Sequence, residues 1–128
     1  KVAAKYFDYA DLTEMHHEAK IDAPSGTAIA IANAAVEGKG GSFTAPKAEK
    51  ELIPGTRGGD SNGVTIHSAR MPGRMAHHEL VFGTLGQTLT IRHGSINRES
   101  FMPGVTMAIR EVVNRTGLTV GLDKVMGI

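Results

Sequence analysis

The chain changes its hydrophobic rhythm several times, and each change predicts an element. Residues 12–17 (LTEMHH) predict a short strand, and residues 27–36 (TAIAIANAAV) have the alanine content and apolar spacing of a buried helix. Residues 37–63 are rich in Gly, Lys, Pro and Ser without a period, which predicts a long flexible flap. Three runs rich in alternating or β-branched residues follow, at 64–70, 77–82 and 88–93. Met71-Pro72-Gly73 and Thr84-Leu85-Gly86 read as the turns between them, so an antiparallel meander is expected. Phe101, Val105, Ala108 or Ile109, and Val112 recur at helical spacing, and Gly117 is placed to end that helix. Pro103 fits if the helix starts near Met102, because proline is accepted in a first turn; a kink is the alternative. Such a helix should cover one sheet face, while residues 118–128 are too few to stand alone. The resulting fold class is α+β, a predominantly antiparallel or mixed open β-sheet with helices packed on one face, in one domain spanning 1–128.

Composition narrows the functional classes. Fourteen Lys and Arg against thirteen Asp and Glu give a formal charge of +1, which lacks the basic excess of a nucleic-acid-binding surface. Anion recognition must therefore be local. There are no cysteines, so disulfides and thiolate chemistry are absent. No apolar run reaches the roughly 18 residues of a membrane span, and a cytoplasmic protein with no membrane partner is expected. The chain starts at Lys1, and Val2 to Phe7 reads as the end of an amphipathic helix cut mid-course, so a fragment of a longer protein is expected.

The densest chemistry lies in Glu14 to Ala28, EMHHEAKIDAPSGTA. Aspartate, proline and serine before an Ala/Ile-rich run mark a helix start, whose free N–H groups and positive dipole end attract a carboxylate or phosphate. Ser25, Gly26 and Thr27 form that turn, and Gly26 lets a ligand approach the backbone. His16 and His17 are adjacent, so in extended backbone their rings diverge and can serve different tasks. Lys20 adds an ammonium beside the helix start. APSGTA is not a phosphate-binding P-loop, since it lacks the Gly-Lys-Ser/Thr ending. His77-His78-Glu79, with His67 and His93 nearby, raises a metal site, but adjacent strand histidines point to opposite faces and a zinc site wants three or four convergent ligands; none is expected.

The same segment closely resembles the substrate-domain signature of bacterial dihydrodipicolinate reductase. The likeness continues through Arg57-Gly58-Gly59, Val64-Thr65-Ile66-His67-Ser68-Ala69-Arg70-Met71-Pro72-Gly73 and Gln87-Thr88-Leu89-Thr90-Ile91-Arg92-His93, and covers nearly the whole chain. The resemblance implies reduction of a cyclic dicarboxylate by NADH or NADPH, with loss of water, in the diaminopimelate route to lysine. It gives His16 the general acid-base position and Lys20 that of a proton donor and substrate contact. His17, Gly26, Thr27 and Arg98 become substrate-binding residues, with Ser25 in the same turn. It further implies a homotetramer built through this domain's sheet. The NADPH or NADH would sit on an N-terminal dinucleotide domain, because no Gly-x-Gly-x-x-Gly follows a strand here. The tail 118–128 would normally return to that half, and this chain alone should be inactive. Met71-Pro72-Gly73 and Met102-Pro103-Gly104 look more like the cyanobacterial and plant branch. Two other classes stay open: a non-catalytic tetramer-forming module, and a small module binding dicarboxylates or other anions.

Overall fold

The computed structural model describes residues 1–128 and divides into two compact units, Lys1–Ser95 and Ile96–Ile128. The first contains strand β1 (Tyr9–His16), helix α1 (Gly26–Lys39), and strands β2 (Gly59–Ser61), β3 (Val64–Arg70), β4 (Ala76–Thr84) and β5 (Gln87–Ser95). Their order across the sheet is β2-β3-β1-β4-β5.

This order corrects the expected meander. β4 and β5 form a hairpin as anticipated, with Thr84 opposite Gln87. β3 does not pair with β4; β1 lies between them, parallel to β3 with Ala10 opposite Val64, and antiparallel to β4. The parallel pair requires a crossover, and α1 supplies it. Local alternation specifies that a run is a strand, not which strand becomes its neighbour.

β1 begins three residues earlier than expected and ends at His16, leaving His17 in the loop that follows. Its burial alternates with the pleat: Ala10, Leu12, Glu14 and His16 face inward and are buried. α1 lies over that face, with Ala28, Ala32 and Ala35 at four- and three-residue spacing giving it a small-residue side that packs closely. Leu12, Val64, Ile66, Leu80 and Phe82 complete the apolar core beneath it. Phe82 stacks on Phe7 at 5.7 Å between ring centroids and meets Phe43 at 5.8 Å.

α1 runs three residues past the expected end. Gly40, at φ 76°, adopts the left-handed conformation that closes the helix, and its N–H donates to the Val36 and Glu37 carbonyls. The segment expected to be a flap is thus helical to Lys39 and contains β2. Between them, buried Phe43 anchors the chain: its N–H donates to Asn62 O at 3.1 Å, and that of Thr44 to Asp8 O at 2.9 Å. Only glycine fits at 63, where φ is 83° and a Cβ would lie 2.0 Å from the Phe43 carbonyl oxygen.

The amino-terminal stretch is a single 3-10 turn, Ala4–Tyr6, rather than the end of an amphipathic helix. The second unit comprises a 3-10 turn (Arg98–Phe101), helix α2 (Met102–Val112) and helix α3 (Leu122–Met126). Pro103 sits in the first turn of α2, as its missing N–H allows. α2 ends before Gly117, which at φ 77° belongs to the turn beyond rather than to the cap. No residue of α2 is buried, and Phe101, Val105, Ile109 and Val112 are exposed.

Candidate functional site

The end of β1 and the start of α1 meet at Ser25. Its hydroxyl accepts from the Ala28 N–H at 3.1 Å, the N-cap bond expected from the sequence. That leaves the first-turn N–H groups of Gly26 and Thr27 without intrahelical partners, by the geometry of an α-helix. Both residues are exposed, and a Cβ at Gly26 would touch nothing within 4 Å, so the turn is open to a ligand. Backbone donors and the helix dipole here favour an anion.

Below the turn lies a buried polar network that sequence reasoning had not assembled. The Glu14 side chain is fully buried. Its Oε2 lies 2.5 Å from His16 Nδ1, while its Oε1 accepts from Arg70 Nη2 at 2.8 Å and from the Ser25 N–H at 3.3 Å. Burial pushes the Glu14 carboxyl up, but hydrogen bonds from Arg70, Ser68 and His16, with the Arg70 charge, outweigh it and hold the group below its ordinary value. Glu14 is therefore a carboxylate at neutral pH. Arg70 also donates to Asp22 O at 2.6 Å, tying the end of β3 to the loop before α1.

His78 closes the network from β4. Its Nε2 lies 3.3 Å from Ser25 Oγ, and its ring meets that of His16 edge-on at 5.3 Å. Burial, followed by the neighbouring His16, lowers the His78 pKa, while Glu14 opposes the shift. Its pair partner in sequence, His77, faces the other side of the strand, which agrees with the expected divergence of adjacent strand histidines. Gly94 opposite His77 has a steric reason, since a Cβ there would lie 2.6 Å from the imidazole.

Glu14, His16 and His78 each offer a ligand atom within 4.8 Å of the others, a set of donor types that can hold a metal. Its chemistry fits a hydrogen-bond network better. Both Glu14 oxygens already accept hydrogen bonds, one from a guanidinium whose fixed positive charge disfavours an adjacent cation.

The remaining predicted residues are placed less centrally. His17 is half-buried in the loop after β1, its carbonyl accepting from the Lys20 N–H at 3.1 Å. Lys20 Nζ is 2.6 Å from Asp22 Oδ1, a pairing not anticipated from the sequence. That hydrogen bond, more than any other influence, holds the Asp22 carboxyl below its ordinary value, so Lys20 carries a counter-ion that an anionic ligand must displace or share. Arg98 belongs to the second unit, where it is exposed at the start of the 3-10 turn capped by the Asn97 side chain. The structure thus gathers His16, Ser25, Gly26 and Thr27 at one strand-to-helix junction, with His17 and Lys20 on the loop that joins them.

Glu14, Arg70 and His78 are the residues that sequence reasoning did not place in this site. A signal existed for two of them. Glu14 and His16 share a strand face by their two-residue spacing, and Arg70 continues the inward row of Val64 and Ile66.

Comparison with known proteins places the chain in a family. The family described as dihydrodipicolinate reductase, C-terminus, matches residues 1–126. The chain belongs to that family. Similar relatives are the 4-hydroxy-tetrahydrodipicolinate reductases of Mycobacterium ulcerans, 46% identical over 128 residues and covering 100% of this chain and 52% of that protein, and of Corynebacterium aurimucosum, 48% identical over 130 residues and covering 98% and 52%. The chain spans about half the length of the curated relatives it matches. A solved structure, a dipicolinate-bound dihydrodipicolinate reductase from Paenisporosarcina sp. TG-14, superposes with a TM-score of 0.82 at 44% identity, covering 95% of this chain and 46% of that one. The mixed open sheet with its helices is thus the fold of this reductase C-terminal family. No helix is long and apolar enough to cross a membrane.

Proposed function

We propose that this chain is the substrate-binding domain of a 4-hydroxy-tetrahydrodipicolinate reductase, acting on a cyclic dicarboxylate in the diaminopimelate route to lysine. The overall change adds a hydride and a proton to the substrate and releases one water, giving tetrahydrodipicolinate. NADPH or NADH supplies the hydride when bound. This chain has no glycine-rich strand-to-helix turn of the kind that cradles a dinucleotide, so a separate domain is proposed to hold it. Cytoplasmic location is the matching expectation for a nicotinamide-dependent biosynthetic enzyme.

The substrate carboxylates dock on the open N–H groups of Gly26 and Thr27, with Ser25 fixing the turn and Lys20 adding a positive charge. His16 handles the proton, and His17 contributes a substrate contact. Arg98 is proposed as a further substrate residue on the strength of the family match. One observation carries the reading: a buried histidine shares a buried carboxylate with the N-cap of an anion-seeking helix start, Glu14 bonding to both His16 Nδ1 and the Ser25 N–H. The dicarboxylate in the similar Paenisporosarcina structure agrees with it.

Calorimetric titration with pyridine-2,6-dicarboxylate tests it. Saturable binding that Lys20→Ala weakens by about tenfold, near 1.4 kcal/mol, supports the assignment. Equal displacement by inorganic phosphate would favour a general anion-binding module, and no binding at all would mean that the dinucleotide half completes the site or that this chain is an assembly module.

We also propose a homotetramer formed through the sheet. β5 is a terminal strand of the sheet, exposed over all but its last residue, and its Leu89 and Ile91 are solvent-facing. Light scattering should report four copies. The two Met-Pro-Gly motifs, at 71–73 and 102–104, support a place nearer the cyanobacterial and plant branch.

A further inference from the structure

The reading of His16 as a proton-handling group leaves open what decides which ring nitrogen carries its proton, and the buried network answers this. We infer that Glu14 is a positioning residue that fixes His16 as the Nδ1–H tautomer, leaving Nε2 as the nitrogen that exchanges protons with the substrate; the role in the reaction rests on the proposed function. Glu14 Oε2 lies 2.5 Å from Nδ1, and an ionised carboxylate can only accept, so Nδ1 must donate. No group of the chain pairs with Nε2. The carboxylate cannot rotate away, because its other oxygen is held by Arg70 Nη2 and the Ser25 N–H. Arg70 is in turn fixed by its bonds to the Ala69 and Asp22 carbonyls. A metal-ligating histidine oriented by a carboxylate uses the same logic, and so does a general base oriented by one.

The geometry makes an unusual prediction for Glu14→Gln. Glutamine has one acceptor oxygen where glutamate has two. Arg70 and the Ser25 N–H are obligate donors that converge on the same side, so the amide oxygen turns to them. The amide NH2 then faces Nδ1, which must accept, and the imidazole proton moves to Nε2. The substitution should therefore invert the tautomer rather than merely loosen it.

The test is two-bond 1H–15N spectroscopy of the His16 ring in the 128-residue chain, above the imidazole titration. The wild-type ring should show a protonated Nδ1 and a bare Nε2. Glu14→Gln should exchange the two signatures, and a double variant, Glu14→Leu with Arg70→Met, should give a mixture. The double variant replaces the ion pair with apolar side chains, so it keeps the test available if Glu14→Gln folds poorly. A wild-type proton on Nε2, or a tautomer unchanged in the folded variants, overturns the positioning role while leaving dicarboxylate binding intact. A fixed tautomer in a chain that binds no pyridine-2,6-dicarboxylate overturns the substrate reading, and with it any role of Glu14 in the reaction. Affinity for the dicarboxylate should change by less than about threefold in Glu14→Gln, since Lys20 and the helix N–H groups are untouched, whereas Lys20→Ala lowers it about tenfold.

Discussion

The inward row of β1 is made of two halves that are equally buried and chemically opposite. Ala10 and Leu12 rest against alanines and branched side chains under α1. Glu14 and His16, two and four residues further on the same face, rest in a lattice of hydrogen bonds. The first half can be explained by removal of apolar surface from water. The second cannot, because burying an ion pair costs desolvation free energy that its attraction seldom exceeds. Its retention is better explained by the orientation it imposes on an imidazole beside an anion site.

The sharpest way to break this contrast is to ask each half for what only it supplies. In a full-length reductase carrying this domain, His16→Asn is expected to lower kcat on the order of 10²–10⁴-fold, the usual contribution of a positioned acid-base group, with the folded state intact by circular dichroism. Arg70→Met leaves the Glu14 carboxylate buried without its cation and should destabilise the domain by about 3–5 kcal/mol in urea unfolding. Leu12→Ala, a cavity in the apolar half, should cost about 2–5 kcal/mol in the same measurement but leave the His16 tautomer unchanged. If Leu12→Ala altered the tautomer, the two halves would be one cooperative unit and the contrast would collapse.

The pH dependence of stability should separate the halves further. Glu14 has a folded pKa below its ordinary 4.5, so its stabilising contribution is complete above that value and is lost as pH falls through the folded pKa. His78 has a folded pKa below 6.5, so the unfolded chain binds its proton first, and stability falls as pH drops below 6.5 toward the folded value. The urea midpoint should therefore decline in two stages on acidification, the first reduced in His78→Phe but not abolished, because burial holds the His77 pKa below 6.5 as well. The smallest effect belongs to the cap: Ser25→Ala should cost about 1 kcal/mol, and it leaves His78 without its hydroxyl partner.

The sequence carried some of this in readable form. β3 has its expected limits, and the cap at Ser25, the start of α2 near Met102 and the β4–β5 hairpin follow from local chemistry that needs no distant partner. The position of β1 between β3 and β4 was not readable, since alternation sets the face a side chain takes and leaves the neighbour undetermined. The two-residue spacing from His16 sets the face that Glu14 takes, but a charged residue in a strand is ordinarily a solvated one, so its burial is not legible in the sequence. Only the crossover brings Arg70 and Ser25 to that carboxylate and gives it buried partners.

The bond between Arg70 and Glu14 joins residues 56 positions apart. A chain emerging from the ribosome can form the first turns of α1 early, from neighbours in sequence, yet it cannot assemble the acid-base centre until β3 has been made and has docked alongside β1. Contacts of this span are formed late and slowly, because loop closure must precede them. The binding turn and the proton-handling ring should thus mature at different times during synthesis, and an incomplete chain would carry the anion cradle before it carried any means of chemistry.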